Sequence, residues 1–88
     1  MSSVSISLDE TYQTETVINN LSEANINQEY IIKDIISEDL DLKNFLFTLG
    51  CFPGEIITVI SILSENFVIT VKDARYSIDS ELARAIVV

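Results

Sequence analysis

The chain has no histidine and no tryptophan, one cysteine, one proline, two glycines and only five basic residues in 88. Each scarcity excludes something. Without histidine there is no general base of the commonest kind and no imidazole ligand for a metal. One cysteine cannot close an intramolecular disulfide, and it supports neither a thiolate zinc site nor a Cys-x-x-Cys redox pair. Two glycines are too few for a glycine-rich phosphate loop. With no tryptophan and no aromatic cluster, a groove for proline-rich peptides is poorly supported. Fourteen acidic residues against five basic ones leave a net charge of −9, which opposes contact with nucleic acid or anionic lipid. No run approaches the ~18 apolar residues of a membrane span, and no charged-then-apolar leader opens the chain. The expectation is a soluble, unprocessed, cytoplasmic binding protein. It should not be an enzyme, it should need no cofactor, and it should neither bind nucleic acid nor insert directly into a membrane. A lone thiol agrees with a reducing cytosol.

What is present is apolar surface. Hydrophobic residues make up 48% of the chain and the mean hydropathy is +0.33, high for a small acidic protein. The length allows one small domain, so such a chain buries more than one face of its strands or leaves apolar surface for another protein to cover. The strongest punctuation is concentrated in five positions, Gly50 to Gly54, which hold both glycines and the only proline. Before them, Leu42, Phe45, Leu46 and Leu49 recur at the spacing of one helix face. After them, the β-branched run Ile56 to Ile62 reads as a strand. Gly50 suits the left-handed residue that ends a helix, and Pro53-Gly54 suits the centre of a type II turn.

The phrase Leu46-x-x-Leu49-Gly50-x-x-Pro53-Gly54, followed by alternating aliphatics, resembles the signature of the FeoA family, small cytosolic accessory proteins of bacterial ferrous iron uptake. The closing stretch Tyr76 to Val88 is similar to that family's ending: an aliphatic strand, a one-turn helix with a buried alanine (Ala83), and a final strand with Ile86 and Val88 two apart. The resemblance runs from about Leu21 to Val88. It implies a small SH3-like barrel that assists a ferrous iron permease by docking on that membrane protein's cytosolic GTP-binding part.

Read along its length, the chain divides into an N-terminal extension, residues 1–20, and a domain, residues 21–88. In the extension Val4, Ile6 and Leu8 alternate with serines, the period of a strand. It is expected as an extra edge strand on the chain's own barrel; donation to a second copy, and hence a homodimer, is the alternative. Tyr30 to Ile35 reads as the first barrel strand, with Ile35 out of phase and so marking a bulge or an end. Asn27 stands where the family usually has glycine, and asparagine tolerates left-handed geometry better than most residues. Ile56 to Ile62 is apolar on both faces, Ile57, Val59 and Leu63 on one and Ile56, Ile60 and Ile62 on the other. Phe67, Ile69 and Val71 point inward from the next strand, reached through the four-residue link Leu63–Asn66. Lys72–Arg75 makes a tight turn without glycine, and Ala74, Tyr76 and Ile78 alternate after it. The expected architecture is therefore all-β with a short helix: about five strands closed into a barrel, a helix between strands 1 and 2 over about Asp39–Leu49, and a one-turn helix before the last strand.

Candidate site residues are few. Glu38, Asp39 and Asp41 could approach a cation through oxygens, but acids at a helix start more often cap it and complement its dipole. No metal site is assigned to them. Cys51 has no histidine partner and follows a helix C-terminus, so it reads as a small buried residue and not as a nucleophile. Phe52 sits between the glycine cap and the turn, where it either packs back on the helix or faces solvent. The expected docking surface is Leu49, Gly50, Cys51, Phe52, Pro53 and Gly54, a rigid link that carries an aromatic. Two other readings stand beside it. One is a regulatory or dimerisation module like the SH3-like C-terminal domain of metal-dependent repressors, which the resemblance also reaches. The other is a peptide-binding SH3-like module.

Overall fold

Strand pairing in this chain is set by where its apolar residues can meet, and the computed structural model, which describes residues 18–88, shows the result. After a single 3₁₀ turn at Leu21–Glu23, the elements are β1 (Glu29–Ile31), β2 (Asp34–Ile35), α1 (Leu40–Leu49), β3 (Ile56–Leu63), β4 (Asn66–Val71), β5 (Ala74–Asp79), α2 (Ser80–Ala85) and β6 (Ile86–Val87). β1, β3, β4 and β5 form an antiparallel sheet in that order, and β2 pairs with β6 in a separate two-stranded ribbon. The alternating strand at Val4–Leu8 lies outside the described residues.

The fold is mostly β, but four details of the expected barrel are corrected. The sheets are not closed into one barrel. There are six strands in place of about five, because the first expected strand divides at Ile32-Lys33 into β1 and β2. Those two residues turn from one sheet to the other: Ile32 donates its N–H to Glu55 beside β3, while Lys33 donates to Val87 of β6. The out-of-phase Ile35 follows from this change of sheet, and it is buried. The division also places α1 between β2 and β3, not between the first two strands. The closing helix is longer than one turn, running Ser80–Ala85 with Asp79 as its cap.

One more expectation changes in β3. The register against β4 shifts between Val59 and Ser61, so Ile60 is an extra residue and the strand reverses its phase there. Ile57 and Val59 are fully buried before the bulge; after it Ile62 packs on the core opposite Phe67, and Leu63 is 70% exposed. The apparent two-faced strand is thus one inward face interrupted by a bulge. In β4 the alternation holds, with Phe67, Ile69 and Val71 buried. The link from β3 to β4 is a two-residue turn, Ser64-Glu65.

The core is apolar throughout, with no buried polar or charged residue among those described. Leu21, Ile32, Ile35, Leu46, Ile57, Ile69 and Ile86 are its large, wholly enclosed members, and Ala83 and Ala85 let α2 approach closely. From α1, Leu46 is buried while Leu42, Phe47 and Leu49 pack partly against the core. Phe45, expected on that face, is instead 47% exposed.

Candidate functional site

The end of α1 is closed by a Schellman motif. Gly50 adopts the left-handed conformation at φ 98°, its N–H bonds to the Phe47 carbonyl at 2.9 Å, and the Cys51 N–H reaches the Leu46 carbonyl at 3.1 Å. Cys51 and Leu46, the two residues joined by the outer bond, are both fully buried. The chain then makes a type II turn: Gly54 has φ 96° at its third position, and the Glu55 N–H returns to the Phe52 carbonyl at 3.0 Å. A bond from the Gly54 N–H to the Ile32 carbonyl at 2.7 Å ties this turn to the kink after β1. The link is therefore held by backbone bonds to α1 at Gly50 and Cys51 and to the kink after β1 at Gly54 and Glu55, which makes it a rigid platform.

Of the six residues expected to form a docking surface, the platform presents three. Phe52, Pro53 and Gly54 are exposed; Leu49 is half-buried, while Gly50 and Cys51 are enclosed. Both expected positions of Phe52 are realised together. Its ring stacks on Phe47 of α1, with centroids 5.3 Å apart and planes within 3°, and it remains 44% exposed. One face is held and the other offered to solvent. Next to the turn, Ile31 of β1 and Ile56 of β3 stand opposite one another and are both exposed. They extend the apolar surface that the composition foreshadowed.

Two residues were missed at the level of sequence. Lys72, from the β4–β5 turn, lays its aliphatic stem over Gly50: a Cβ on that glycine would stand 2.9 Å from Lys72 Cδ. Its Nζ pairs with Glu55 Oε2 at 3.0 Å. No local signal in the sequence could have shown that a lysine 22 positions away covers the helix cap. An open depression of about 650 Å³ begins here and is lined by Glu29, Gly54, Glu55, Thr58, Lys72 and Arg75. Its mixed charges provide no selective ligand site.

The acidic trio resolves into a cap. Asp39 Oδ1 accepts from the Asp41 N–H at 3.0 Å and the Leu42 N–H at 3.3 Å, and Asp41 lies in the first turn. Glu38 is exposed beside them. Among the described residues no three His, Cys, Asp or Glu side chains gather where they could hold a metal ion. Burial pushes the Cys51 thiol up to about 11, which removes the thiolate that nucleophilic chemistry requires. Among the described residues no helix is long and apolar enough to cross a membrane.

Compared with known proteins, residues 19–88 match the sequence profile of the FeoA domain. A solved iron uptake regulatory protein, FeoA, superposes with a TM-score of 0.68 at 25% identity, over 76% of this chain and 88% of that one. The zinc-complexed FeoA of Stenotrophomonas maltophilia, described as a prokaryotic SH3 domain protein, superposes with a TM-score of 0.70 at 17% identity, over 78% and 88%. A manganese-dependent transcriptional repressor in complex with manganese gives 0.73 at 16% identity, over 83% of this chain but 37% of the longer repressor. At these identities the last two establish the fold alone, which is SH3-like. Curated protein sequences give no significant match.

Proposed function

Because the chain belongs to the FeoA domain family, we propose that it is a non-enzymatic accessory protein of ferrous iron uptake that docks on the cytosolic GTP-binding part of the iron permease. The observation that carries this reading is the exposed face of Phe52, held against Phe47 on a platform whose backbone is bonded at both ends. A large aromatic fixed before binding loses little side-chain entropy when a partner covers it. Leu49, Gly50 and Cys51 build the platform, while Phe52, Pro53 and Gly54 make the contact. Ile31 and Ile56 supply apolar surface beside it, and the net charge of −9 favours a basic patch on the partner.

Binding of the isolated cytosolic part of the permease, measured by titration calorimetry, tests this reading. Phe52→Ala should weaken binding at least tenfold, about 1.4 kcal/mol, while leaving most of the stability in place. Unfolding of the variant with unchanged residual affinity would make Phe52 a core residue and move the contact elsewhere.

The likeness to the manganese-dependent repressor favours a second reading, a regulatory or dimerisation module. It separates from the first by its partner. Recovery of a DNA-binding protein instead of a permease from detergent-solubilised membranes would select it.

A further inference from the structure

β5 is the outermost strand of the four-stranded sheet, and none of its six residues bonds on the far side to any other described residue. The two-residue turn Lys72-Asp73 joins it to β4, with Val71 opposite Ala74 as the closing pair. In such a hairpin the closing pair is hydrogen-bonded and the pairs then alternate. Ala74, Tyr76 and Ile78 therefore direct their backbone groups toward β4, and Arg75 and Ser77 direct theirs to the open edge. Side chains divide the same way. Ala74, Tyr76 and Ile78 line the core side, where Tyr76 is only partly buried; Arg75, Ser77 and Asp79 face solvent. An edge of this length presents unpaired donors and acceptors, a ready template for another strand, which folded proteins blunt with charges or bulges or cover with another segment.

We infer that the open edge of β5 is the docking site of the chain's own segment Ser3–Leu8, which adds as a fifth antiparallel strand. Both faces of the segment match. Val4, Ile6 and Leu8 fall beside Ala74, Tyr76 and Ile78 and extend the apolar layer, while Ser5 and Ser7 fall opposite Arg75 and Ser77 and exchange backbone bonds with them. β1, the other edge, is three residues long and exposes Ile31, so it offers a shorter and mismatched template. The tether fits as well. Asp9–Val17 are nine residues, which span up to about 30 Å, whereas a domain of this size has a radius of gyration of roughly 11 Å. A tether that short holds the segment at an effective concentration in the millimolar range, which favours its own chain over a second copy. This docking is independent of the contact with the permease.

Amide hydrogen exchange of the full chain, followed by NMR, tests the assignment. The Arg75 and Ser77 amides should exchange at least tenfold more slowly in the native chain than in the double variant Ser5→Pro, Ser7→Pro, which lacks the two donors. The Ile69 amide, inside the sheet, should not change, which shows that the fold is intact. The Arg75 and Ser77 protection should be the same at 20 µM and 1 mM protein, about a fifty-fold range, because a tethered strand binds at an effective concentration that does not depend on protein concentration. Equal exchange at Arg75 and Ser77 in the two chains would overturn the proposal. Protection that grows with concentration, together with a dimer by analytical ultracentrifugation, would also overturn it by making the occupant a second copy.

Discussion

Two tight turns meet above the end of α1, and they handle left-handed backbone in opposite ways. Gly50 to Glu55 places a glycine at each positive φ, 98° and 96°. Lys72-Asp73 carries side chains at both of its positive-φ positions, 52° and 65°. The two central residues of a two-residue hairpin commonly need φ > 0, and glycine or asparagine is the usual choice there. The difference shows what each position has to accommodate. At Gly50 a side chain would enter the space that the Lys72 stem fills, so the missing Cβ serves packing as well as conformation. At Lys72 the side chain covers the helix cap and pairs with Glu55, which offsets part of the strain of a lysine in that region. Neither turn is independent of the other.

The largest expected effect comes from the residue that the first turn hides. The Cys51 thiol is raised by burial to about 11 from an ordinary 9.0. A group raised in the folded state contributes its stability fully below the unfolded value and loses it as pH climbs through the folded one. Between pH 9 and 11 the chain should therefore lose about 2 kcal/mol that Cys51→Ala does not lose. Urea melts of both proteins across that window check this, and parallel losses would mean that the thiol is not enclosed in solution.

Gly50→Val should cost nearly as much, about 2 kcal/mol, because a β-branched residue at positive φ is strained and the new side chain also displaces Lys72. Gly54→Val should cost less, though more than about 1 kcal/mol: a Cβ at Gly54 meets no atom within 4 Å, so only the backbone strain applies. The ratio of the two, read from melting temperatures, sharpens the contrast between a packed and an open glycine. Equal costs would show that Lys72 moves aside freely. The smallest effect has the opposite sign. Asp73→Gly should stabilise by about 0.5 kcal/mol, the relief of left-handed strain less the added freedom of the unfolded chain. A destabilised variant would mean that the Asp73 side chain has a partner in the native protein.

Local signals in the sequence were sufficient wherever the cause of a conformation lay within a few residues. Gly50 as a helix cap, Pro53-Gly54 as a turn, Asn27 in the left-handed region at φ 67°, Asp39 as the start of α1 and the alternation of β4 all follow from adjacent side chains and backbone geometry. The family signature is composed of these same local features, which is why it could be read from the chain. The cap and the turn that frame the candidate site were legible for that reason; the placing of Phe52 was not, because its stacking on Phe47 and its remaining exposure depend on the packing of α1.

What the sequence determined by itself, then, is the set of pieces and their order: an acidic chain with no histidine and a single cysteine, a capped helix, a tight turn and a succession of short strands. Only the tertiary structure decided where the first strand divides between two sheets, that Ile60 is an extra residue which reverses the phase of β3, that Phe45 lies outside the core, and that Lys72 crosses from another turn to cover Gly50. Each of these depends on a contact between residues distant in sequence. Ile60 bulges because Ile57 and Val59 must meet Val71 and Ile69 while Ile62 must meet Phe67 across the same pair of strands. A periodicity read along one strand cannot register a constraint imposed by its neighbour.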